Sequence, residues 1–512
     1  MSASVNFWLL FRTLGIVALL SVCARWYRKR RLAKQEEEAF AAQHGCKPVE
    51  ATVPYKWPFA LDLLKQQYDA LPKQRMLEFQ TRYLGAAPTI RIDILGEGYM
   101  VHDPVNIEAI LNSRFEDFEL GPRRMGLLPL PGRGYFRTGW FSRIRELGLS
   151  ALGEHADSLL EAISHEAQAN SEGVVDLQPH FFEYTLSTTT QLLFGEPHNS
   201  LPVSERKALR DNFEYASYVS AIRLRLADVC WLYQPRKLHD ACKGVRDWAS
   251  FFTDKALSYM DQYGEEAAME KYAFIIDLWR DMKNRDMVRD QLLHVLIAGR
   301  DTTACLLSWT FPDDSFHLVR NPELIERLKA DIAEVVPQAS EEITRKHIQQ
   351  LPFLRCCLNE TPCQCQVCQA DDDAPRGGGP DGESPVLLRP GAGLGWSSYH
   401  LHRNESVYGP DARVYRPSRW EDGELQRRAG IGGFLDFHAG PRVCLGRDLQ
   451  LIWGEPAEDY ALMESSYAIV RILQKYPNIR LPPNIPNLPV GEERQHLSIV
   501  LTSAEGTKVL LE

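Results

Sequence analysis

The amino-acid sequence predicts a mainly α protein with small β-sheets, in which an N-terminal apolar segment precedes one large helix-rich domain. Helical patterns recur through most of the chain, whereas the alternating pattern typical of strands is confined to short stretches near residue 90. With 44% hydrophobic and 25% charged residues, the composition is that of a globular protein and supplies enough apolar side chains for a large core.

The charge balance and the cysteine content restrict the classes of protein to which this chain can belong. The net charge of −10 provides no basic footprint, so we expect no nucleic acid partner. Eleven cysteines are an odd number without the spacing of a small disulfide scaffold, which favours a reducing compartment.

The first 34 residues predict a single-pass membrane anchor with a basic flank. Phe7 to Ala24 is apolar apart from Arg12, at the short end of what a helix needs to cross a bilayer of ~30 Å. The basic cluster Arg25 to Arg31 comes after this apolar run, whereas a signal peptide carries its positive charge before it. We therefore expect a transmembrane helix with the remaining chain on the cytosolic side. A cleaved leader is the alternative, since Val22 to Ala24 offers small residues.

A linker and one further domain are predicted after the anchor. Residues 35–58 form the linker, and the stretch from Pro48 to Pro58 is expected to act as a stiff spacer. Residues 59–512 then form the helix-rich domain.

The domain begins with strands and continues with helices. Thr89 to Gly96 alternates apolar and polar residues and predicts a strand, with Tyr99 to His102 returning as its partner. A helix is expected to begin at Pro104. Further helices are predicted at Val174–Glu196, which Gly195 ends, and at Leu292–Thr310, Phe316–Val336 and Leu351–Glu360.

A cysteine-bearing loop, FHAGPRVCLG, spans Phe437 to Gly446. A thiolate is scarce at neutral pH unless a cation, a metal or a helix N-terminus stabilises it, which makes Cys444 a candidate ligand. Gly440 has no Cβ and lets the backbone approach a flat, bulky group. Arg442 supplies a cation that suits an acidic group of a ligand. The alternative is a buried structural cysteine in a turn.

The helix predicted at Leu292–Thr310 is apolar nearly all round, which indicates a buried helix. Its centre nevertheless contains Asp301 and Thr302, although an unpaired polar group in the interior costs a few kcal/mol. Either these residues have a functional role, or the threonine hydroxyl only donates back to a carbonyl oxygen of the same helix.

Both stretches resemble the cytochrome P450 family. The loop has that family's spacing Phe-x-x-Gly-x-Arg-x-Cys-x-Gly, and the helix contains its Ala-Gly-x-Asp-Thr-Thr segment. The resemblance implies the P450 fold, a helical prism with small β-sheets, which binds haem b with Cys444 as the axial ligand of the iron. It also implies that Phe437, Gly440 and Arg442 contact the cofactor. Thr302 would hydrogen-bond oxygen on the distal face of the haem, and Asp301 would help to relay protons.

Three further residues take roles from the same resemblance. Trp140 is expected near a haem propionate, although the family's Trp-x-x-x-Arg is out of step here, with Ile144 at the arginine position. Glu360 and Arg419 match members of a buried ion network on the proximal side, which fixes geometry more than it adds stability.

The segments AGRDTTA and RGGGPDG are most similar to the fungal branch that hydroxylates alkanes and fatty acids. The expected function is insertion of one oxygen atom of O2 into a C–H bond of a hydrophobic small molecule. Since no flavin or nicotinamide fingerprint is evident, the expected electron source is NADPH through a separate NADPH–cytochrome P450 reductase. The expected location is the endoplasmic reticulum membrane, with the catalytic domain cytosolic.

The chain departs from the family pattern near residues 312–315, 361–375 and 451–459. Cys363 occupies the position of the second charged residue of the Glu-x-x-Arg motif, so we expect Glu360 to lack its main partner, at a cost of ~3–5 kcal/mol. One hypothesis is a faulty gene model, with retained non-coding or frame-shifted sequence. The alternatives are a catalytically impaired, membrane-tethered haem-binding relative and a zinc-binding interaction protein built on Cys363, Cys365 and Cys368.

Overall fold

The computed structural model describes most of the predicted domain. The described residues are 25, 27–29, 31–84, 87–119, 126–127, 129–131, 144–311, 318–336, 342–361, 365–369, 384–444, 460–483, 485 and 494–511. Trp140, Cys363 and the departures at 312–315 and 451–459 lie outside these ranges, as do residues 1–24 of the predicted anchor.

Helices make up most of the described chain, as the sequence predicts. Their bounds are α1 at residues 31–44, α2 Leu61–Ala70, α3 Met76–Thr81, α4 Pro104–Glu108, α5 Ile144–Ala169, α6 Leu177–Phe194, α7 Val203–Arg225, α8 Arg236–Tyr263, α9 Glu265–Lys271, α10 Ala273–Met282, α11 Arg285–Thr310, α12 Pro322–Val335, α13 Arg345–Gln349, α14 Pro352–Glu360, α15 Ser398–Leu401, α16 Glu405–Tyr408, α17 Glu424–Gly433 and α18 Tyr460–Lys475.

Short strands form small sheets beside the helices. Their bounds are β1 Thr89–Arg91, β2 Gly98–Val101, β3 Val174–Asp176, β4 Cys365–Gln369, β5 Gly393–Ser397, β6 Gln495–Leu497, β7 Leu501–Ser503 and β8 Lys508–Leu510. One sheet has the order β1-β2-β5-β4, in which only the β2–β5 pair is parallel, while β3–β8 and β6–β7 are antiparallel pairs.

The strands and helices predicted at the start of the domain are largely confirmed. Thr89 pairs with Val101 in an antiparallel register, although β1 ends at Arg91 and does not continue to Gly96. The helix that begins at Pro104 is capped by the Asp103 carboxylate, which accepts from the next backbone N–H groups at 3.0 Å.

The helix predicted from Val174 starts later than expected. Val174–Asp176 forms β3, because these residues pair with β8 at the far end of the chain, and α6 begins at Leu177. Its predicted end is confirmed: Gly195 adopts a left-handed conformation with φ +69°.

Part of the predicted linker packs on the domain. The backbone N–H of Val53 donates to Arg91 O at 2.9 Å, and the Val53 side chain is buried. Lys47 N–H donates to Pro385 O at 2.9 Å. The stretch after Pro48 therefore extends the edge of the β1 sheet and does not stand apart from it.

α11 is the central helix, and the prediction that it is buried is confirmed for most of its residues. It packs closely on α6, where a Cβ added at Gly299 would lie 3.0 Å from the Thr189 side chain. Thr185 of α6 donates to Arg300 O at 2.9 Å. These contacts fix the height and rotation of the helix that carries Asp301 and Thr302.

The C-terminal segment closes the domain at the N-terminus of α6. Asp176 Oδ1 accepts from Gln178 N and from Thr507 N, at 3.1 and 2.7 Å, so one carboxylate caps α6 and holds the C-terminal segment. Val509 of β8 is fully buried. β8 is therefore part of the core.

None of the described helices is long and apolar enough to cross a membrane. The anchor predicted in residues 1–34 falls mainly on residues outside the described chain, so it stays a prediction.

Candidate active site

The cysteine-bearing loop has a backbone fixed by local hydrogen bonds. Cys444 N–H donates to Phe437 O at 2.8 Å and Val443 N–H donates to Gly440 O at 3.0 Å. Gly440 has φ +63°, and a Cβ there would lie 2.0 Å from Leu111 O, so only glycine permits this approach to the residues after α4. The loop therefore holds Cys444 at its end, where the residue is exposed.

Aromatic and apolar contacts support the same loop from behind. Phe437 is half-buried against the largest hydrophobic cluster. The His438 ring lies 5.9 Å from the fully buried Trp396 of β5, nearly perpendicular to it. Ala439 is buried beside β5 and Leu111. The predicted cofactor contacts Phe437 and Gly440 thus shape the loop, while the Arg442 side chain lies outside the described residues.

Thr302 lies on a stripe of α11 that is exposed although the helix is otherwise mostly buried. Ala298, one turn earlier, is exposed on the same side. Thr302 Oγ1 donates to Ala298 O at 2.7 Å, the back-bonding arrangement that the sequence left open as an alternative to a functional hydroxyl. A hydroxyl that donates in this way still has lone pairs with which to accept a hydrogen bond.

Asp301 adjoins Thr302 in sequence but faces the interior. Its Oδ1 accepts from Arg300 Nη1 at 2.9 Å, and both side chains are buried. The Arg300 guanidinium lies over the rings of Phe182 and Phe213, at 5.0 and 4.8 Å from their centroids. Burial raises the pKa of the Asp301 carboxyl, and the charge of Arg300 opposes that shift.

Glu464 of α18 is a buried acid that sequence reasoning did not single out. It is fully buried, and its Oε1 accepts from the Thr188 hydroxyl of α6. Burial raises the pKa of Glu464 to about 8, against the opposing effect of the Thr188 and Thr303 hydroxyls. A single acid inside the apolar run YALMESSYAIVRIL was the available signal. The raised pKa favours the neutral form of this carboxyl, which adjoins α11 at Thr303, the residue after Thr302.

Glu360 was expected to lack its main partner because Cys363 stands at the arginine position; Cys363 lies outside the described residues, and the described donors to Glu360 come from residues 416–420. Arg419 Nε donates to its Oε1 at 3.0 Å and Trp420 Nε1 to its Oε2 at 2.6 Å. The backbone N–H of Arg416 also donates to Oε1, at 2.9 Å. Burial raises the pKa of Glu360, and these donors oppose the shift, with Arg419 the strongest of them. Donors on the 416–420 segment therefore reach both oxygens of the carboxylate.

Arg419 is itself fully bonded, which makes the network a structural junction. Its Nη groups donate to the carbonyl oxygens of Tyr408, Asp411 and Val414, at 3.0, 2.9 and 2.8 Å. One guanidinium thus joins α14 to the chain that leads towards the cysteine loop.

The cysteine tract is only partly described. Cys365–Gln369 forms β4, paired antiparallel with β5, although the sequence there did not predict a strand. Among the described residues no group of three or more His, Cys, Asp or Glu side chains could hold a metal ion. Cys363 lies outside them, so the zinc alternative stays a prediction.

The described residues fit a haem with a cysteine ligand. The loop presents an exposed sulfur donor on a constrained backbone, and thiolate sulfur is one of the axial ligands that haem iron takes in proteins. The exposed small side chain of Ala298 suits a large flat group, whereas the missing Cβ of Gly440 serves the close contact with Leu111 O.

The fold is that of a haem-binding protein of known structure. It is similar to the solved crystal structure of cytochrome P450DA heme domain, with a TM-score of 0.69, and the similarity covers 91% of this chain and 97% of that chain at 15% identity. A mainly helical fold of this kind, with a loop that presents Cys444, is the combination found in haem-thiolate proteins.

Sequence comparisons identify the family. The profile of the family described as Cytochrome P450 matches residues 149–362 and 381–488. A protein of Arthroderma benhamiae named Cytochrome P450 is 33% identical, and the alignment covers 96% of this chain and 97% of that relative. Cytochrome P450 52A5 of Candida maltosa is 34% identical, over 80% of this chain and 79% of its own. The chain belongs to the cytochrome P450 family and is a cytochrome P450 monooxygenase.

The resemblance predicted from the cysteine loop and from α11 is therefore confirmed. The profile match breaks off between residues 362 and 381, where the sequence shows the cysteine tract.

Proposed function

We propose that this monooxygenase inserts one oxygen atom of O2 into a C–H bond of an alkane or a fatty acid. The observation that carries the proposal is the exposed Cys444 at the end of a loop fixed by the Phe437 and Gly440 contacts. The similarity to Cytochrome P450 52A5 and the AGRDTTA segment support the fungal hydroxylase branch.

The residues have separate tasks in this proposal. Cys444 would hold the haem iron, and Arg442 and Trp140 would bind the carboxylates of the haem. Haem with a thiolate ligand supplies the oxidising chemistry, because the thiolate donates electron density that favours cleavage of the O–O bond.

In this proposal, Thr302 accepts a hydrogen bond and Asp301 transfers protons on the distal side of the site. Thr302 Oγ1 donates to Ala298 O and keeps its lone pairs available to accept a hydrogen bond from within the site. Asp301 exchanges protons while Arg300 fixes the position of its carboxyl. The second oxygen atom of O2 leaves as water.

The proposed electron source and the proposed cellular location are those that the family resemblance implies. NADPH supplies the electrons through a separate NADPH–cytochrome P450 reductase. Residues 1–34 anchor the chain in the endoplasmic reticulum membrane, 35–58 connect the anchor to the catalytic domain, and 59–512 face the cytosol. Hydrophobic substrate then enters from the lipid.

The first test is the carbon monoxide difference spectrum of the reduced protein. We expect the absorption band of a thiolate-ligated carbonyl complex, followed by hydroxylation of dodecanoic acid when reductase and NADPH are added. Cys444→Ser should lose the band, whereas Cys46→Ser, a change at a half-exposed cysteine outside the loop, should retain it. A band of unchanged position and size in Cys444→Ser contradicts the proposal.

A second candidate is a catalytically impaired haem-binding relative, or the product of a faulty gene model. The break in the family match after residue 362 favours it. Sequencing the spliced transcript separates these possibilities: a transcript without the segments near 312–315, 361–375 and 451–459 supports the gene-model explanation, and one that encodes all of them ends it.

A further inference from the structure

A cavity lies at the C-terminal end of α14, beside the ion network of Glu360. Its volume is about 390 Å³, which includes open solvent, and the lining residue Val414 is exposed. The lining combines the Glu360 carboxylate with three aromatic side chains, those of Tyr408, Trp420 and Phe434. A ligand from solution can therefore reach an acidic group between aromatic walls.

The Glu360 carboxylate has an acceptor position that the described chain leaves unused. A carboxylate accepts about four hydrogen bonds. Among the described residues, Arg416 N–H and Arg419 Nε donate to Oε1, whereas Oε2 receives the indole N–H of Trp420. Arg419 cannot supply a further donor, because its Nη groups already donate to carbonyl oxygens and to the Asp411 side chain. Since Glu360 lines the cavity, a donor bound there can reach Oε2.

The charges at this end of α14 favour a cation. A helix C-terminus carries a partial negative charge, and α14 has no basic residue in its last turn. Burial raises the pKa of the Glu360 carboxyl, and the charge of Arg419 opposes that rise without cancelling it. The carboxylate is therefore stabilised by a second positive charge.

The second arginine of the lining is directed to another ring. The Arg403 guanidinium lies 3.7 Å from the centroid of the Tyr399 ring, and its Nη1 donates to Tyr399 O at 2.9 Å. Its charge is thus partly compensated by the face of that ring.

A planar cation suits this lining better than a compact one. Guanidinium is flat, donates within its own plane and stacks on aromatic faces, whereas an ammonium ion is compact and strongly hydrated. Cys363, three residues after Glu360, stands where the Glu-x-x-Arg motif has an arginine, so the chain supplies no guanidinium from that position.

We propose that the cavity at the end of α14 binds a small planar cation of the guanidinium class, which donates to Glu360 Oε2 and stacks on the aromatic lining. Bound there, the cation stabilises the junction between α14 and the 416–420 segment. The described lining contains none of Cys444, Thr302 and Asp301, and the inference does not depend on the proposed function.

Guanidinium chloride at low concentration is the probe, and urea, which is planar and of the same size but uncharged, is the matched control. Thermal unfolding of the haem-loaded protein is recorded with added NaCl that keeps the ionic strength constant. A dissociation constant of about 2 mM is within what so small an ion can reach. At about 20 mM guanidinium the equilibrium constant of unfolding should then fall about elevenfold, by one plus the ratio of ligand concentration to Kd. The fall should saturate, and urea at the same concentration should change the constant less than about twofold.

Variants locate the effect in the cavity. Ala412→Leu places an apolar side chain in the lining and should abolish the response to guanidinium. Ala162→Leu, the same change at an exposed position of α5, should keep it. Glu360→Gln removes the charge and should lose the response as well. Ala412→Leu decides the test if the glutamine variant fails to fold.

Three outcomes overturn the proposal. Guanidinium and urea with equal effects exclude recognition of the charge. A response to guanidinium that persists in Ala412→Leu places the binding elsewhere on the protein. A folded Glu360→Gln protein that responds like the wild type removes Glu360 from the site.

Discussion

Two buried carboxylates, Glu360 and Glu464, meet different surroundings. Glu360 accepts from a guanidinium, an indole and a backbone N–H, whereas the Glu464 side chain meets the uncharged hydroxyls of Thr188 and Thr303. Donors to a carboxylate favour its charged form, and burial favours its neutral form. Arg419 therefore stabilises the charged form of the Glu360 carboxyl, whereas burial stabilises the neutral, protonated form of the Glu464 carboxyl.

At Glu464 the dependence on pH can be predicted. The folded protein holds this proton up to a pKa of about 8, above the ordinary value of 4.5, so the unfolded chain releases it first as the pH rises. The free energy of unfolding should therefore fall between pH 4.5 and pH 8, by up to ~1.4 kcal/mol per pH unit from this group alone, and level off above. Glu464→Gln should remove that slope in urea unfolding curves recorded across the range.

The control for this prediction is Glu161→Gln, a change at an exposed glutamate of α5. It should leave the slope of the wild type intact. If Glu464→Gln and the wild type lose stability equally as the pH rises, Glu464 is not the group responsible.

At Arg419 we predict a large loss of stability on removal of the charge. Arg419→Met leaves the buried Glu360 carboxylate without its guanidinium and should cost ~3–5 kcal/mol in guanidinium chloride or urea unfolding. Arg416→Ala is the matched comparison, because Arg416 reaches Glu360 through its backbone N–H, and its exposed side chain pairs with Asp411 at the surface. That change should cost less than ~1 kcal/mol. Similar losses in both variants would contradict the network described above.

At the scale of elements, the cysteine loop depends on one glycine. Gly440→Ala should destabilise the protein by about 4 kcal/mol or more, because the added Cβ would overlap Leu111 O at 2.0 Å in a left-handed backbone. Gly45→Ala serves as the control: Gly45 has φ +69° but no atom within 4 Å of the added Cβ, so it should cost only ~1–2 kcal/mol. Urea unfolding measures both, and equal costs would mean that the approach to Leu111 is unimportant.

Which elements the sequence could predict depended on how much local pattern each one carries. α11 and the β1–β2 pair were predictable, because a long apolar run and a short alternation across Glu97-Gly98 are local signals. β3, β8 and the hairpin of β6 and β7 are three residues each, too short for a period to be recognised. Val174–Asp176 became a strand because its partner lies at the other end of the chain.

The same distinction applies to the candidate site. Cys444 and Thr302 could be identified from fixed local spacing. Arg419 was expected near Glu360 from the family resemblance, but Trp420 and the Arg416 backbone N–H were not, since they reach Glu360 only after the chain has folded. The placement of Asp301 towards Arg300 also depends on packing between distant segments.

At the scale of the whole molecule, the C-terminal strand is an integral part of the core. Deleting residues 508–512 removes β8, exposes β3 and takes away the fully buried Val509. We expect a loss of about 4 kcal/mol or more, or a protein that fails to accumulate. Soluble yield and the midpoint of thermal unfolding measure it.

Lys508→Ala is the matched change in the same strand, at an exposed side chain, and should alter stability by less than ~0.5 kcal/mol. A truncated protein that unfolds at the wild-type temperature would show that the pairing of β3 with β8 is dispensable.

The contact between Asp176 and Thr507 has a consequence for how the protein is made. A ribosome synthesises β3 early and β8 almost last, so the nascent chain cannot complete this contact until translation has nearly ended. Until then the Asp176 carboxylate at the N-terminus of α6 has not bound the Thr507 N–H, and chaperones have time to engage the unfinished chain. Any message that stops early or changes frame near its end therefore yields a polypeptide that quality control can distinguish from the finished enzyme.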